Sequence, residues 1–462
     1  MHEEYTMITR PPDGPSRGVQ VSPPPGPIER PTRLLNKNFT LLLQGQFLSR
    51  TGTSLASLAM VLWIIDATKS ASLMGLLYVL SSLPAVVFGV IGGAVADRYS
   101  RRNVIAYCDI ASGLALLLLG VLFFLVPDDR GTLALAVISL STLVAVFDAF
   151  STPAISAAIP DMVPPESMAQ ANSLGQISFQ LASLIGQGLG GLLYGFMGAL
   201  GAAVCNGLTC LYSGVTESFM TISQQIPEAP ARWQDRIRDF KRDMTSGFRQ
   251  VISTPGLNKL VLLSSFVTFF SSPLIMLIPF YVKEFLGLSD EWVGYLGATY
   301  GLGTLFGSLA AGIKHVGRNG RRRVIIWSMI LQSIGFAILG VLRDPVAAFS
   351  LVCIGGILTG LTGVYIVTII QATTPSEVRG RVFGCLGTIA SSLAPIGIGL
   401  GSMFFDWIGH GVFLMYFGSG AIMTASVALV SLNREFREYL SYDVTLQPST
   451  IPESSSPVEV RR

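Results

Sequence analysis

The chain is a succession of long apolar runs separated by short polar breaks. A helix needs about 20 mostly apolar residues to cross the hydrocarbon of a bilayer. Runs of that length fall near 40–66, 72–96, 103–126, 132–157, 170–197, 200–223, 258–282, 291–313, 323–342, 346–372, 381–404 and 411–432. The pattern predicts an all-α integral membrane protein with twelve transmembrane helices. Breakers mark several boundaries: Pro127-Asp128-Asp129, Pro164-Pro165, Asp344-Pro345 and Thr374-Pro375. Only a Gly-rich turn near Gly198–Gly201 separates the fifth and sixth runs. Residues 1–38 and 433–462 read as disordered tails; the first is rich in Pro and Arg and has no signal-peptide core.

Composition agrees with this reading. Charged residues make up 13% of the chain, where soluble domains carry about 25%. Hydrophobic residues reach 50%, and the mean hydropathy is +0.57. The net charge of +3 is too small to suggest nucleic acid as a partner. Lys and Arg crowd onto the tails and one set of loops, whereas the other set holds only Lys69, Arg130, Lys283 and Arg343. The positive-inside rule then predicts that both termini are cytoplasmic. The five cysteines and three histidines form no metal-ligand or redox spacing, and no Gly-Lys-Ser/Thr nucleotide loop occurs. A self-contained ATP-driven pump is thereby excluded. A polytopic enzyme or receptor is the rival from another class, but it would need a paired-acid, His-rich or metal site at fixed spacing.

The chain also repeats itself weakly. Arg98-Tyr99-Ser100-Arg101-Arg102-Asn103-Val104-Ile105 aligns with Arg318-Asn319-Gly320-Arg321-Arg322-Arg323-Val324-Ile325, and Pro164-Pro165-Glu166 with Pro375-Ser376-Glu377. The predicted organisation is two six-helix bundles, 39–224 and 258–432, joined by a linker at 225–257. In that linker Arg232, Arg236, Arg238, Lys241, Arg242 and Arg249 alternate with Trp233, Ile237, Phe240, Met244, Phe248 and Val251. An amphipathic basic helix on the inner leaflet is expected. Duplicated halves around a midplane cavity are the plan of secondary transporters.

At this point the motifs carry a resemblance. Gly93-Ala94-Val95-Ala96-Asp97-Arg98-Tyr99-Ser100-Arg101-Arg102 resembles the loop signature of the major facilitator superfamily. Pro153-Ala154, Ile159-Pro160-Asp161-Met162-Val163-Pro164, Ala171-Asn172 and Glu377-Val378-Arg379-Gly380-Arg381-Val382 resemble the bacterial branch that contains macrolide efflux proteins and the enterobactin exporter. The resemblance spans about 40–432. It implies an exporter of a lipophilic drug, antibiotic or siderophore, driven by the proton gradient without other cofactor. It further implies a monomer in the bacterial inner membrane, with lipid and the small molecule as partners. An importer or facilitator is the alternative within transporters. The resemblance also implies that Asp97 latches the halves against the start of the eleventh span, here Arg379-Gly380-Arg381. Gly93 would allow close helix approach, with Arg98, Arg101 and Arg102 completing the motif; a plain positive-inside turn is the competing reading. The second copy has Gly317 in place of the acid, so one half alone would carry the latch. Relatives carry an aspartate after the glycine of the first span, where this chain has Thr53 after Gly52. Gly186-Gln187-Gly188-Leu189-Gly190-Gly191 resembles an exporter motif, with Gln187 in place of its proline. Gly186, Gly190 and Gly191 would permit tight packing.

Four charges lie inside the first-half spans. Arg50 sits near mid-depth, where an unpaired cation is expensive. It either snorkels to the interface or pairs with a carboxylate, Asp148 being the first choice and Glu217 another. Asp109 reads as a structural partner of the arginine loop. All four are candidates for charge pairing or proton coupling. Cavity candidates share helix faces: Gln46, Thr53, Ser54 and Ser57 with Arg50 in the first span, and Gln176, Gln180, Ser183 and Gln187 in the fifth. Helix-packing polarity is the alternative for the fifth-span stripe. Thr268, Phe269, Phe270 and Tyr365 are the second-half candidates.

Overall fold

The computed structural model describes residues 33–222, 233–313 and 317–442; its described segments are helical, with no strand among them. In order these are α1 (Lys37–Thr68), α2 (Ala71–Arg98), α3 (Arg101–Leu125), α4 (Arg130–Met162), α5 (Met168–Ser218), α6 (Trp233–Ser253), α7 (Leu257–Met276), α8 (Ile278–Phe280), α9 (Glu291–Ile313), α10 (Arg318–Leu339), α11 (Pro345–Thr373), α12 (Ser376–Trp407), α13 (Val412–Ser431) and α14 (Arg434–Leu440). Ten helices among the described residues are long and apolar enough to cross a membrane. The ten include α5 as one helix and omit α9. Gly198, at φ 65°, breaks α5 into two limbs. The twelve expected runs therefore each coincide with a helical limb.

Side chains start these helices where the backbone donors would otherwise be orphaned. The Asn36 Oδ1 accepts from Phe39 N at 3.1 Å, and the Asp344 carboxylate accepts from Ala347 N at 2.7 Å with Pro345 at the first helical position. In hydrocarbon a helix satisfies its own backbone, so the side chains are free to be apolar on every face.

The first half packs α1 on α5, α3 on α4 and α5, and α2 on α4; the second packs α9 on α11, α10 on α11 and α13, and α7 on α12 and α13. Glycines set the closest approaches. A Cβ on Gly307 would sit 2.0 Å from the Ile357 carbonyl oxygen, and one on Gly52 would sit 2.1 Å from Thr209 Oγ1. The halves meet through α2 with α12 and α5 with α9.

Two expectations about the polar segments change. The final tail does not start at Asn433. Residues 434–440 form α14, capped by the Asn433 side chain, and Phe436 and Leu440 are fully buried. Residues 443–462 lie outside the described residues, as do 1–32 of the first tail, 223–224 at the end of the first bundle and 225–232 of the linker. The amphipathic linker helix forms as α6, but it packs on α12 and α2 as well as presenting a polar face. Gly247 would bring a Cβ within 2.4 Å of the Arg381 carbonyl oxygen, and Val251 is buried.

Candidate functional site

The terminal face carries the first and last described residues and the breaks at Tyr99, Val163 and Thr374; the opposite face carries the breaks at Lys69, Val126 and His410. Contacts between the halves concentrate on the opposite face. Asp406, ending α12, accepts from Ala71 N at 2.9 Å, Ser72 N at 2.8 Å and Ser70 Oγ at 3.0 Å. It thus places a carboxylate on the first-turn donors of α2, in the other half, where the helix dipole also favours negative charge. His410 hydrogen-bonds Asp406 at 3.1 Å and Glu284 at 3.2 Å. Asp66, near the end of α1, accepts from Tyr194 Oη at 2.9 Å and pairs with Lys283, which also pairs with Asp290 at 2.7 Å. Burial pulls the Lys283 pKa down, but the hydrogen bonds and charges of Asp290 and Asp66 outweigh it, so the net shift is upward. Glycines complete the seam: a Cβ on Gly75 would meet Ser402 at 2.7 Å, and one on Gly191 the Asp290 carbonyl oxygen at 2.7 Å.

Toward the terminal face the halves part. A Cβ added to Gly89 or Gly93 on α2, Gly175 on α5, or Gly380, Gly384 or Gly387 on α12 would meet nothing within 4 Å. Gly93, expected in close approach, faces open space in this state. The Asp97 side chain lies outside the described residues. Arg101 instead serves its own half, donating to the Ala157 carbonyl at 2.8 Å and pairing with Asp161. Arg102 donates to Asn103 Oδ1 at 3.1 Å, and Arg379 to the Thr374 carbonyl at 3.3 Å. Arg98, Gly380 and Arg381 are exposed.

Two cavities lie between these ends. The larger, about 600 Å³, is bounded by α1 (Thr53, Ser54, Ser57), α2 (Tyr78), α5 (Gln187) and the interior of the second half, including Tyr300 and Gln332. Its lining contains no ionisable acid, lysine, arginine or histidine. The smaller, about 140 Å³, is lined by Gln46, Ser49, Arg50, Thr53, Ser54, Asp109, Asp148, Ser151, Thr152, Ile155 and Phe179. Arg50 and Asp148 thus share one cavity, but no ion pair within 4 Å joins them among the described residues; the guanidinium stacks 5.2 Å above the Phe179 ring. Asp148 is open to the cavity solvent although it sits inside the bundle.

Behind them is a buried pair of acids. Gln46 Nε2 donates to Glu217 Oε1 at 2.9 Å and to Asp109 Oδ2 at 3.4 Å. Glu217 is fully buried, Asp109 is 6% exposed, and Glu217 Oε2 has no hydrogen-bond partner among the described residues. Asp109 therefore contacts α1 rather than the arginine loop, because it lies about two helical turns beyond Arg101 on α3.

Other residues diverge from expectation. Gln176 and Gln180 are exposed and line neither cavity, and Ser183 only accepts from Gln187 Nε2 at 2.9 Å. Tyr365 is buried in a core cluster with Ile369 and Leu263 rather than facing a cavity. Thr268, Phe269 and Phe270 also line neither; Phe270 meets Phe269 edge-on and Phe266 at a tilt, and packs against the main core. Packing of α7 against α12 and α13 claims these faces. At Gly186 a Cβ would meet Ser54 Cβ at 2.6 Å, and at Gly190 the Leu55 carbonyl at 3.1 Å. Sequence reasoning missed the opposite-face network entirely. Its signal was a handful of charges, including Lys283, at the ends of apolar runs on an otherwise cation-poor side.

Residues 42–318 match the family model described as Major Facilitator Superfamily. The chain belongs to that superfamily. It is a transporter rather than an enzyme. Macrolide efflux protein A of Streptococcus pyogenes is 25% identical over 397 residues, covering 84% of this chain and 94% of that protein. The enterobactin exporter EntS of Shigella boydii serotype 4 (strain Sb227) is 26% identical over 356 residues, covering 75% and 80%. The crystal structure of the nucleoside transporter NupG superposes with a TM-score of 0.64 at 12% identity, covering 87% of this superfamily member and 100% of that chain.

Proposed function

We propose that this transporter is a proton-coupled exporter of a lipophilic small molecule, a drug, antibiotic or siderophore, working by alternating access as a monomer in the bacterial inner membrane. The observation that carries the reading is the pairing of the two cavities. A large apolar cavity between the halves lies beside a small one that holds Arg50, Asp148 and Asp109. The terminal face is the cytoplasmic one, since it carries the surplus of Lys and Arg. On this reading the cavities open toward the cytoplasm, and the face joined by Asp406 and Lys283 is the closed outer one.

In this account the substrate partitions into the large cavity by burying apolar surface. Asp148, open to cavity water, exchanges a proton. Its charge sets how strongly Arg50 is held near it, against the alternative of stacking on Phe179. Proton binding and release thereby alter the packing of α1 on α4 and α5. The efflux names of the two relatives support the direction.

The test is accumulation of a toxic-compound panel in cells lacking or overproducing the protein, with and without an uncoupler. Overproduction is expected to lower accumulation, and the uncoupler to abolish the difference. Asp148→Asn is expected to stop pH-gradient dissipation in vesicles. Unaltered accumulation throughout would overturn export, and an uncoupler-insensitive difference would overturn proton coupling.

A further inference from the structure

The large cavity does not end inside the second half. On α10 its lining includes Gln332, Phe336 and Leu339, but also Leu331, Ile334 and Ile338. At about 100° per residue, Gln332 and Ile334 project to opposite flanks of the helix. Gly335 lies between those flanks and faces Leu351 of α11 at 3.7 Å. The same holds on α11, where Val352 lies on the inner flank and Ile354 on the outer. The outer-flank residues are exposed: Leu331 by 51%, Ile334 by 37%, Ile338 by 41% and Ile354 by 52%. The lining therefore continues along both flanks of the line where α10 meets α11. Gly355, on α11 at that line, would meet nothing within 4 Å if given a Cβ. The crevice is thus narrowed by no side chain at that position.

One helical turn beyond Gly355, toward the terminal face, the same side of α11 turns polar. Thr359 Oγ1 accepts from Tyr300 Oη at 3.1 Å and from Gln332 Nε2, while donating to the Gly355 carbonyl. This hydrogen-bonded group stands beside a lining without charge.

We infer that the α10–α11 crevice is a lateral portal through which an uncharged lipophilic substrate passes from the bilayer hydrocarbon into the cavity. The outer flanks are apolar and exposed at membrane depth, so the medium that meets them is hydrocarbon. A charged molecule would lose hydration along the route without meeting any counter-charge. An uncharged one keeps an apolar environment until the Gln332–Thr359–Tyr300 group, where a carbonyl or hydroxyl can hydrogen-bond. The inference deepens the export reading and rests on it for the identity of the passenger.

The test has two arms. In the first, nitroxides are placed singly at residues 335 and 355 of the full chain in nanodiscs, in a background with the native cysteines replaced. Collision with oxygen and with a water-soluble nickel chelate is compared. Preferential collision with oxygen at both positions is expected. Preference for the chelate, or shielding from both, overturns the portal whatever the protein transports. In the second, cells carrying wild type, Gly355→Phe or Ser57→Phe are loaded with the uncharged dye Nile red. Gly355→Phe plugs the crevice where space is free, and Ser57→Phe plugs the cavity by any route. Loss of dye efflux in both is expected, with labelling of Thr53→Cys from the terminal face unchanged in the Gly355→Phe background. Loss in Ser57→Phe alone overturns the portal and leaves export standing. Retention of dye by wild-type cells overturns export of such compounds, and the nitroxide arm then decides the portal alone.

Discussion

Replacing Asp406 with alanine should unlock the face that is closed in this structure. The carboxylate holds two backbone donors of α2 at 2.9 and 2.8 Å and the Ser70 hydroxyl at 3.0 Å, all across the boundary between halves. Hydrogen bonds to a charged group contribute about 1.5–3 kcal/mol each net of water. Dipole complementarity at a helix start adds roughly 0.3–1 kcal/mol. These contacts exist only while the halves touch, and water replaces part of them on opening. A net bias of about 3 kcal/mol toward the closed face is therefore reasonable, roughly two powers of ten in the closed-to-open ratio. Asp406→Asn keeps an acceptor for the α2 donors and should retain much of the bias. The assay is the rate at which a membrane-impermeant maleimide, added from the opposite face to oriented proteoliposomes, reacts with Ser57→Cys. The rate should rise steeply in Asp406→Ala, in proportion to the open population, and modestly in Asp406→Asn. An unchanged rate in Asp406→Ala, with the protein still folded, would refute the reasoning.

Three further outcomes follow from the packing and charges. Gly307→Val forces a side chain into the Ile357 carbonyl, where even a Cβ would lie at 2.0 Å, so α9 and α11 must separate; a loss of about 1–3 kcal/mol or more is expected as a lowered midpoint of thermal unfolding. Phe436→Ala empties a fully buried position of α14 and should cost about 3–5 kcal/mol by the same measurement, whereas a true disordered tail would show no change. Lys283 has a folded-state pKa above its unfolded one, so its pairing stabilises the closed face fully below the ordinary lysine pKa of about 10.4 and is lost as pH rises through the shifted value. Alkaline titration should therefore accelerate opposite-face labelling in wild type, and Lys283→Met should remove that pH dependence.

The membrane-spanning pattern was legible because hydrocarbon imposes length and apolarity on every crossing, and the runs near 40–66 and 346–372 coincide with α1 and α11 to within a few residues. Facing was less legible. A helix apolar all round, such as α11, does not reveal which aromatic points inward, so Tyr365 reads as a cavity residue yet lies in the core. The first span was easier, since Gln46, Arg50, Thr53, Ser54 and Ser57 share one face of an apolar helix by their spacing, and all line one cavity or the other. α14 was hidden by Arg434, Glu435, Arg437 and Glu438, although Phe436, Tyr439 and Leu440 recur at helical spacing. The opposite-face network joins Asp66 to Lys283 and Ser70 to Asp406, pairs too distant in sequence for local pattern to connect.

The central claim is that the two halves rock about the shared cavity, opening one face while closing the other. Nitroxide pairs read this by pulsed dipolar distance measurement: residues 130 and 407 across the opposite face, and 99 and 432 across the terminal face. In wild type the 130–407 distance should be short and the 99–432 distance long, as in the state described above. Asp406→Ala, or an imposed proton gradient with substrate present, should lengthen the first and shorten the second together. Distances that stay fixed under both perturbations, or that lengthen on both faces at once, would contradict the account.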